Sequence, residues 1–224
     1  MKKDMSITLK QIKDNEDIKT YITRADESLK ALGYTEHSFA HVGKVSDGAA
    51  YILETLGYDA RTVELAEIAG YLHDIGNLVN RVDHSQSGAV MAFRLLDKLG
   101  MSADEISTVV TAIGNHDEGA GVPVSPVAAA LIIADKCDVR RTRVRNSDFS
   151  TFDIHDRVNY SVVKSTVQIS EDKRTIILEL EVDTSISAVI DYFSIFIGRM
   201  QMSRRAAEAL GLTFSLVING QTLL

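Results

Sequence analysis

Apolar residues return every three or four positions through most of the first 140 residues, and every second position in two stretches after residue 158. The first spacing predicts helices with one buried face, and the second predicts half-buried strands. In residues 1–34, Ile12, Ile18, Tyr21, Ile22, Leu29 and Leu32 form an intermittent face on an otherwise polar helical segment that Gly33 ends. The next helix carries His41, Val45, Gly48, Ala49, Ile52 and Leu56 on one side and stops at Gly57. A stripe through Val63, Ala66, Gly70 and His73 predicts a third helix, whose small residues Ala66, Ala69 and Gly70 admit a close neighbour. Gly76 reads as its left-handed stop. Ala89, Met91, Ala92, Leu95, Leu96 and Leu99 supply the face of a further helix that begins near Asp83 or Ser85 and ends at Gly100. Ser102 and Glu105 form a capping-box pattern, and Ser125 followed by Pro126 marks another start.

After this the character changes. The stretches VVKSTVQIS and RTIILELEV alternate like strands around the turn Glu171-Asp172-Lys173, with Ile176, Leu178, Leu180 and Val182 facing one way and Glu179 and Glu181 the other. A long helix follows, with Val189, Ile190, Phe193, Phe196, Ile197, Met200, Ala207 and Leu210 on its apolar face and Gly211 as its stop. LTFSLVING closes the chain as another strand. The expected fold is mainly α: a helical bundle over residues 1–150, a linker at 151–157 with His155 in a polar, turn-like stretch, and a small α+β (ββαβ) unit at 158–224. A unit this small needs a partner surface, either the helical domain or a second copy in a homodimer.

Polar residues interrupt the apolar pattern at telling places. His41 lies on a helix face, His73 and Asp74 at a helix end, His84 near a helix start and His116 just past an apolar run. Asp135 follows eight consecutive apolar residues, Val127 to Ala134, so it is a buried carboxylate that needs a partner. Lys136 points about 100° away around the helix, which leaves a cation as the better one. Neutral imidazoles and carboxylates removed from water are satisfied together by a divalent metal. Taken alone, the His73-Asp74 pair reads more readily as a helix end decorated by its dipole. The other segments turn the balance toward a metal site.

Composition narrows the setting. The chain has 224 residues, 45% hydrophobic and 25% charged, as in an ordinary soluble protein. Its single cysteine, Cys137, excludes an internal disulfide and fits a reducing compartment. The start MKKDMSITLK lacks the apolar core of a secretory signal, and no apolar run approaches the roughly 20 residues of a membrane span. A cytoplasmic protein is expected. The formal charge of -7 argues against stable nucleic-acid binding. Lys136, Arg140, Arg141, Arg143 and Arg145 nevertheless form a basic island, suited to an anionic substrate or to a helix C-terminus.

The series His41, His73-Asp74, His84, His116 and Asp135, in that order and on helices, resembles the HD superfamily of metal-dependent phosphohydrolases over roughly residues 35–145. YLHDIGN is close to the family's usual LLHDIGK, and His41-Val42-Gly43-Lys44-Val45 looks like its first-histidine helix. The segments at His84-Ser85-Gln86-Ser87-Gly88-Ala89 and Ile113-Gly114-Asn115-His116-Asp117-Glu118 resemble those of the branch that includes the HD-GYP cyclic-dinucleotide phosphodiesterases. Asn115 replaces the first of that branch's two adjacent histidines, no Gly-Tyr-Pro follows, Asn77 replaces the commoner lysine, and the acidic pair of alarmone hydrolases is missing. The resemblance implies a helical HD-domain bundle that hydrolyses a phosphate ester of a nucleotide or small phosphorylated metabolite. It implies that His41, His73, Asp74 and Asp135 hold one divalent metal, and that Asp74 bridges to a second held by His84 and His116, with His73 and Asp74 at the heart of catalysis. Iron or manganese suits such an imidazole-rich set, with magnesium, nickel and cobalt as alternatives. Candidate substrate contacts are His37, Lys44, Asn77, Lys136, Arg140, Arg141 and Arg143. Two other readings share these residues: a dinuclear-iron oxygenase, and a nucleotide-sensing module that does not hydrolyse its ligand.

Overall fold

The computed structural model describes residues 6–223. The N-terminal segment is two helices rather than one, α1 at Leu9–Asp14 and α2 at Glu16–Ala31. Asn15 divides them, because its side chain accepts from the Ile18 N–H and caps α2. Ile12, Ile18, Ile22 and Leu29 are buried as the spacing predicts, whereas Leu32, past the helix end, is exposed. Residues 1–5 of the expected segment lie outside the described residues.

The helices of the bundle follow as α3 (Phe39–Leu56), α4 (Ala60–Leu72), α5 (His84–Leu99), α6 (Ala103–Gly114) and α7 (Pro126–Lys136). Ser38, Asp59, Ser102 and Ser125 each accept a backbone N–H at the helix start, and Pro126 occupies the first turn of α7. Ser102 makes half of the expected capping box, since it accepts from Glu105 N–H while the Glu105 carboxylate is taken by Arg61 at 2.7 Å. Helix α4 packs on α3 where Gly70 meets Ser46, and a Cβ at Gly70 would come within 2.8 Å of the Ser46 backbone. The small-residue stripe is therefore a close helix crossing.

Gly76 corrects the sequence reading. It does not adopt a left-handed conformation but lies inside a 3-10 turn, Ile75–Leu78, that continues from α4. A Cβ there would collide with the His84 carbonyl and the Gly88 N–H of α5. The residue is small because another helix passes over it, not because a helix stops at it.

The stretch expected to be a linker is also helical. Helix α8 (Ile154–Ser161) is capped by Asp153, and His155 is on its exposed side. Strands β1 (Val162–Ile169) and β2 (Thr175–Val182) pair antiparallel, as the alternation predicts. After β2, α9 (Val189–Ala209) crosses over so that β3 (Thr213–Ile218) pairs parallel with β2, and β4 (Gln221–Thr222) closes the edge. The sheet order is β1-β2-β3-β4.

Helix α9 packs against α7 on one side and β3 on the other, and the buried core runs continuously through the bundle and the sheet. Its buried face is Tyr192, Phe196, Met200, Ser203 and Ala207, while Ile190 and Ile197 of the expected face are exposed. Contact with α7 on a second side rotates the buried arc toward Tyr192 and Ser203, the latter near Cys137 at 4.0 Å. Among the described residues no helix is long and apolar enough to cross a membrane.

Candidate metal centre

The ends of α4, α6 and α7, the start of α5 and the first turn of α3 converge on one buried point. His41, His73, Asp74, His84 and His116 are all buried, and Asp135 is nearly so. Three groups of ligand atoms lie within 4.8 Å of one another: His41, His73 and Asp74; His73, His116 and Asp135; and Asp74, His84 and His116. The sequence-predicted ligands are thus brought together without exception.

Each imidazole is held by its Nδ1. His73 Nδ1 is 2.7 Å from the Gly70 carbonyl, His84 Nδ1 is 3.1 Å from that of Arg81, and His116 Nδ1 is 2.6 Å from that of Ile113. His41 Nδ1 is 2.8 Å from Asp138 Oδ2. All four partners are acceptors, so this network assigns a proton to each Nδ1 and points the Nε2 atoms inward. The Nε2 atoms of His41 and His73 are buried with no hydrogen-bond partner. Those of His84 and His116 face each other at 3.1 Å. Two lone pairs that close repel unless a cation lies between or beside them.

The carboxylates complete the set. Asp74 Oδ2 is 3.2 Å from His73 Nε2 and 3.5 Å from His41 Nε2, whereas Oδ1 is 3.5 Å from His84 Nε2. Asp135 Oδ1 lies 3.4 Å from His41 Nε2 and 3.7 Å from His73 Nε2. Burial opposes charge on His73, but Asp74 and Asp135 outweigh it and lift its pKa to about 10. Burial and the nearby His73 charge push His116 down to about 3. Burial would raise Asp74, yet His73 holds it well below the usual carboxylate range. The mixed imidazole and carboxylate donors that meet at this point fit a divalent transition metal.

Around the ligands is a ring of supporting residues that sequence reasoning only partly found. Asn77 donates to the Asp74 carbonyl at 2.9 Å and to Asp74 Oδ1 at 2.8 Å, so the residue that replaces lysine fixes the shared carboxylate. Lys136 is buried and pairs with Asp135 Oδ2 at 2.8 Å, contrary to the expectation from helical angle alone. Its flexible stem folds back, and Glu118, 3.4 Å away, holds it there together with Arg199 of α9 at 3.1 Å from the same Glu118 oxygen. The C-terminal unit thereby reaches a metal-ligand candidate through three ion pairs, Arg199–Glu118, Glu118–Lys136 and Lys136–Asp135.

Asp138 was missed. It is 1% exposed, and besides His41 it meets Lys44 at 3.2 Å and Arg140 at 3.0 Å through Oδ1. A hint lay in its position, one short acid between the apolar helix and the arginines. Asp138→Asn presents either an amide N–H or a neutral oxygen to His41. Metal affinity is expected to fall about 10- to 100-fold, measured by competition with a chromogenic chelator.

Beyond Lys136, the basic island is engaged in other pairings. Helix α7 ends at Lys136, so the residues beyond it do not fan around a helix, and Arg140 is extended. Arg140 pairs with Glu36 at 3.1 Å as well as Asp138, Arg143 is buried on the Glu36 and Asp138 carbonyls, and Arg141 binds the Tyr160 carbonyl at 2.6 Å. Their charges are spent on structure. Lys44 faces Asp138 and a cavity of about 320 Å³ shared with Tyr51, Ile52, Thr166 and Val167. His37 precedes α3 rather than sharing its face, but its ring still meets that of His41 at 5.4 Å between centroids. Burial and the Arg143 charge keep His37 well below the usual histidine pKa.

Comparison with known proteins agrees with this geometry. Residues 38–140 match the family model of the HD domain. The candidate ligands from His41 to Asp135 all lie inside that span. It is also similar to Uncharacterized protein MJ1020 of Methanocaldococcus jannaschii, 24% identical over 183 residues that cover 71% of this chain and 70% of that one. A crystal structure of a predicted HD superfamily hydrolase from an uncultured Thermotogales bacterium matches at 25% identity with a TM-score of 0.43, over 58% of this chain and 73% of that chain.

Proposed function

We propose that the centre hydrolyses a phosphate ester of a nucleotide or small phosphorylated metabolite. The observation that carries this reading is the division of Asp74. Its two oxygens face different imidazoles, Oδ2 toward His41 and His73 and Oδ1 toward His84, as a carboxylate shared by two cations must. His41, His73, Asp74 and Asp135 would hold one metal, and Asp74, His84 and His116 the other. Iron or manganese suits this donor set. When bound, such metals supply Lewis-acid activation of water and neutralise phosphoryl charge.

The chain's own residues do the rest. Asp138 and the three backbone carbonyls keep every imidazole in the tautomer that presents Nε2. Asn77 holds Asp74 in its divided orientation, and Lys136 steadies Asp135. His37, beside His41, is placed to meet a substrate at the edge of the centre.

Protein stripped by chelator and reloaded with Fe(II) or Mn(II) tests the reading against nucleotides, cyclic dinucleotides and p-nitrophenyl phosphate. Phosphate ester cleavage is expected in the reloaded protein and at least about 100-fold less in the stripped one. Intact esters under every metal, or turnover that requires O₂, would sink it.

A further inference from the structure

Arg81 is the cation at this centre that the protein leaves least committed. Lys44, Lys136, Arg140 and Arg199 each lie within 2.8–3.2 Å of a carboxylate oxygen, and Arg143 is buried on two carbonyls. Arg81 has only long contacts: 3.3 Å to Asn77 Oδ1, 3.4 Å to His84 Nε2 and 4.0 Å to Asp74 Oδ1. These are at or beyond the weak end of hydrogen-bond range.

Its position is at the boundary between ligands and solvent. The side chain is 27% exposed, and its guanidinium lies over the exposed ring of Tyr34, 5.8 Å from the centroid. The Arg81 carbonyl is tied to His84 Nδ1, so the backbone is fixed while the side chain is not. Two of the atoms it approaches, Asp74 Oδ1 and His84 Nε2, belong to the Asp74, His84 and His116 group. A divalent cation there repels a guanidinium at such range, and the charge of Arg81 is then available to an anion brought alongside.

We propose that Arg81 binds the phosphoryl group of the substrate, its planar fork donating to two phosphoryl oxygens beside the Asp74, His84 and His116 position. This assignment rests on the phosphate-ester reading above and names a substrate contact outside the basic island. Tyr34 keeps the guanidinium at the mouth by stacking beneath it.

The test uses inorganic phosphate as the probe and the full chain loaded with Mn(II). Isothermal titration compares wild type with Arg81→Gln and Arg81→Lys, and metal per chain is measured in parallel. Arg81→Gln is expected to bind phosphate about 10- to 100-fold more weakly at unchanged metal content, with Arg81→Lys in between. Equal affinity in wild type and Arg81→Gln, no phosphate binding by wild type, or loss of metal from Arg81→Gln would each overturn the assignment. If binding depends on Arg81 yet no phosphate ester is cleaved, the assignment stands and the hydrolytic reading falls.

Discussion

Asp74→Asn protein is expected to lose metal from both positions, with affinity down by more than about 100-fold at each, while His84→Ala retains the metal held by His41, His73 and Asp135. The difference follows from how the ligands are shared. Asp74 reaches His41 and His73 through one oxygen and His84 through the other, whereas His84 meets Asp74 and His116 of the candidate ligands. Asparagine keeps the size of the side chain but removes its charge, and an amide cannot offer two anionic oxygens. Loss of a shared ligand should exceed the 10- to 100-fold that loss of a mere supporting residue costs. Metal analysis of the two variants, purified alike, decides the matter. Equal metal loss in both would mean that Asp74 is not shared.

Gly76→Ala should be the most destabilising single-methyl substitution at this centre, by about 3 kcal/mol, at the upper end of what overpacking costs. The added Cβ would meet backbone, the His84 carbonyl and the Gly88 N–H, and neither can rotate away as a side chain tip does. Relief requires α5 to shift, and α5 begins with His84, so stability and metal binding should fall together. Denaturant midpoints and metal content measured on the same preparation check this. A left-handed C-cap would give a different result: alanine would cost only the smaller strain of a positive φ, and His84 would stay in place.

The ligand set was legible in the sequence because its residues are chemically conspicuous. A histidine or aspartate at the end of an apolar run must be partnered, and His41, His73, Asp74, His84, His116 and Asp135 each broke such a run or lay at its edge. The helices were legible through their apolar stripes and, for α6 and α7, through the caps Ser102 and Ser125, and the hairpin through the alternation of Ile176, Leu178, Leu180 and Val182. What periodicity could not supply was the identity of neighbours across the chain. Helical angle turned Lys136 away from Asp135, yet a four-carbon stem bends back when Glu118, itself paired with Arg199, meets its far end. The arginines from Arg140 onward do not lie on a helix because α7 ends before them, and Glu36, from 104 residues earlier, pairs with Arg140.

By itself, then, the sequence determined which polar residues would be buried at helix ends in need of a partner and which elements would carry them, since both follow from local pattern and from the cost of burying polar groups. Only the tertiary structure decided how Asp74 is divided between histidines, that Gly76 is a crossing point, that Asp138 orients His41, and that Arg81 lies beside Asp74 and His84. Those outcomes depend on distances between segments far apart in the chain, and these are set by packing that no single segment encodes.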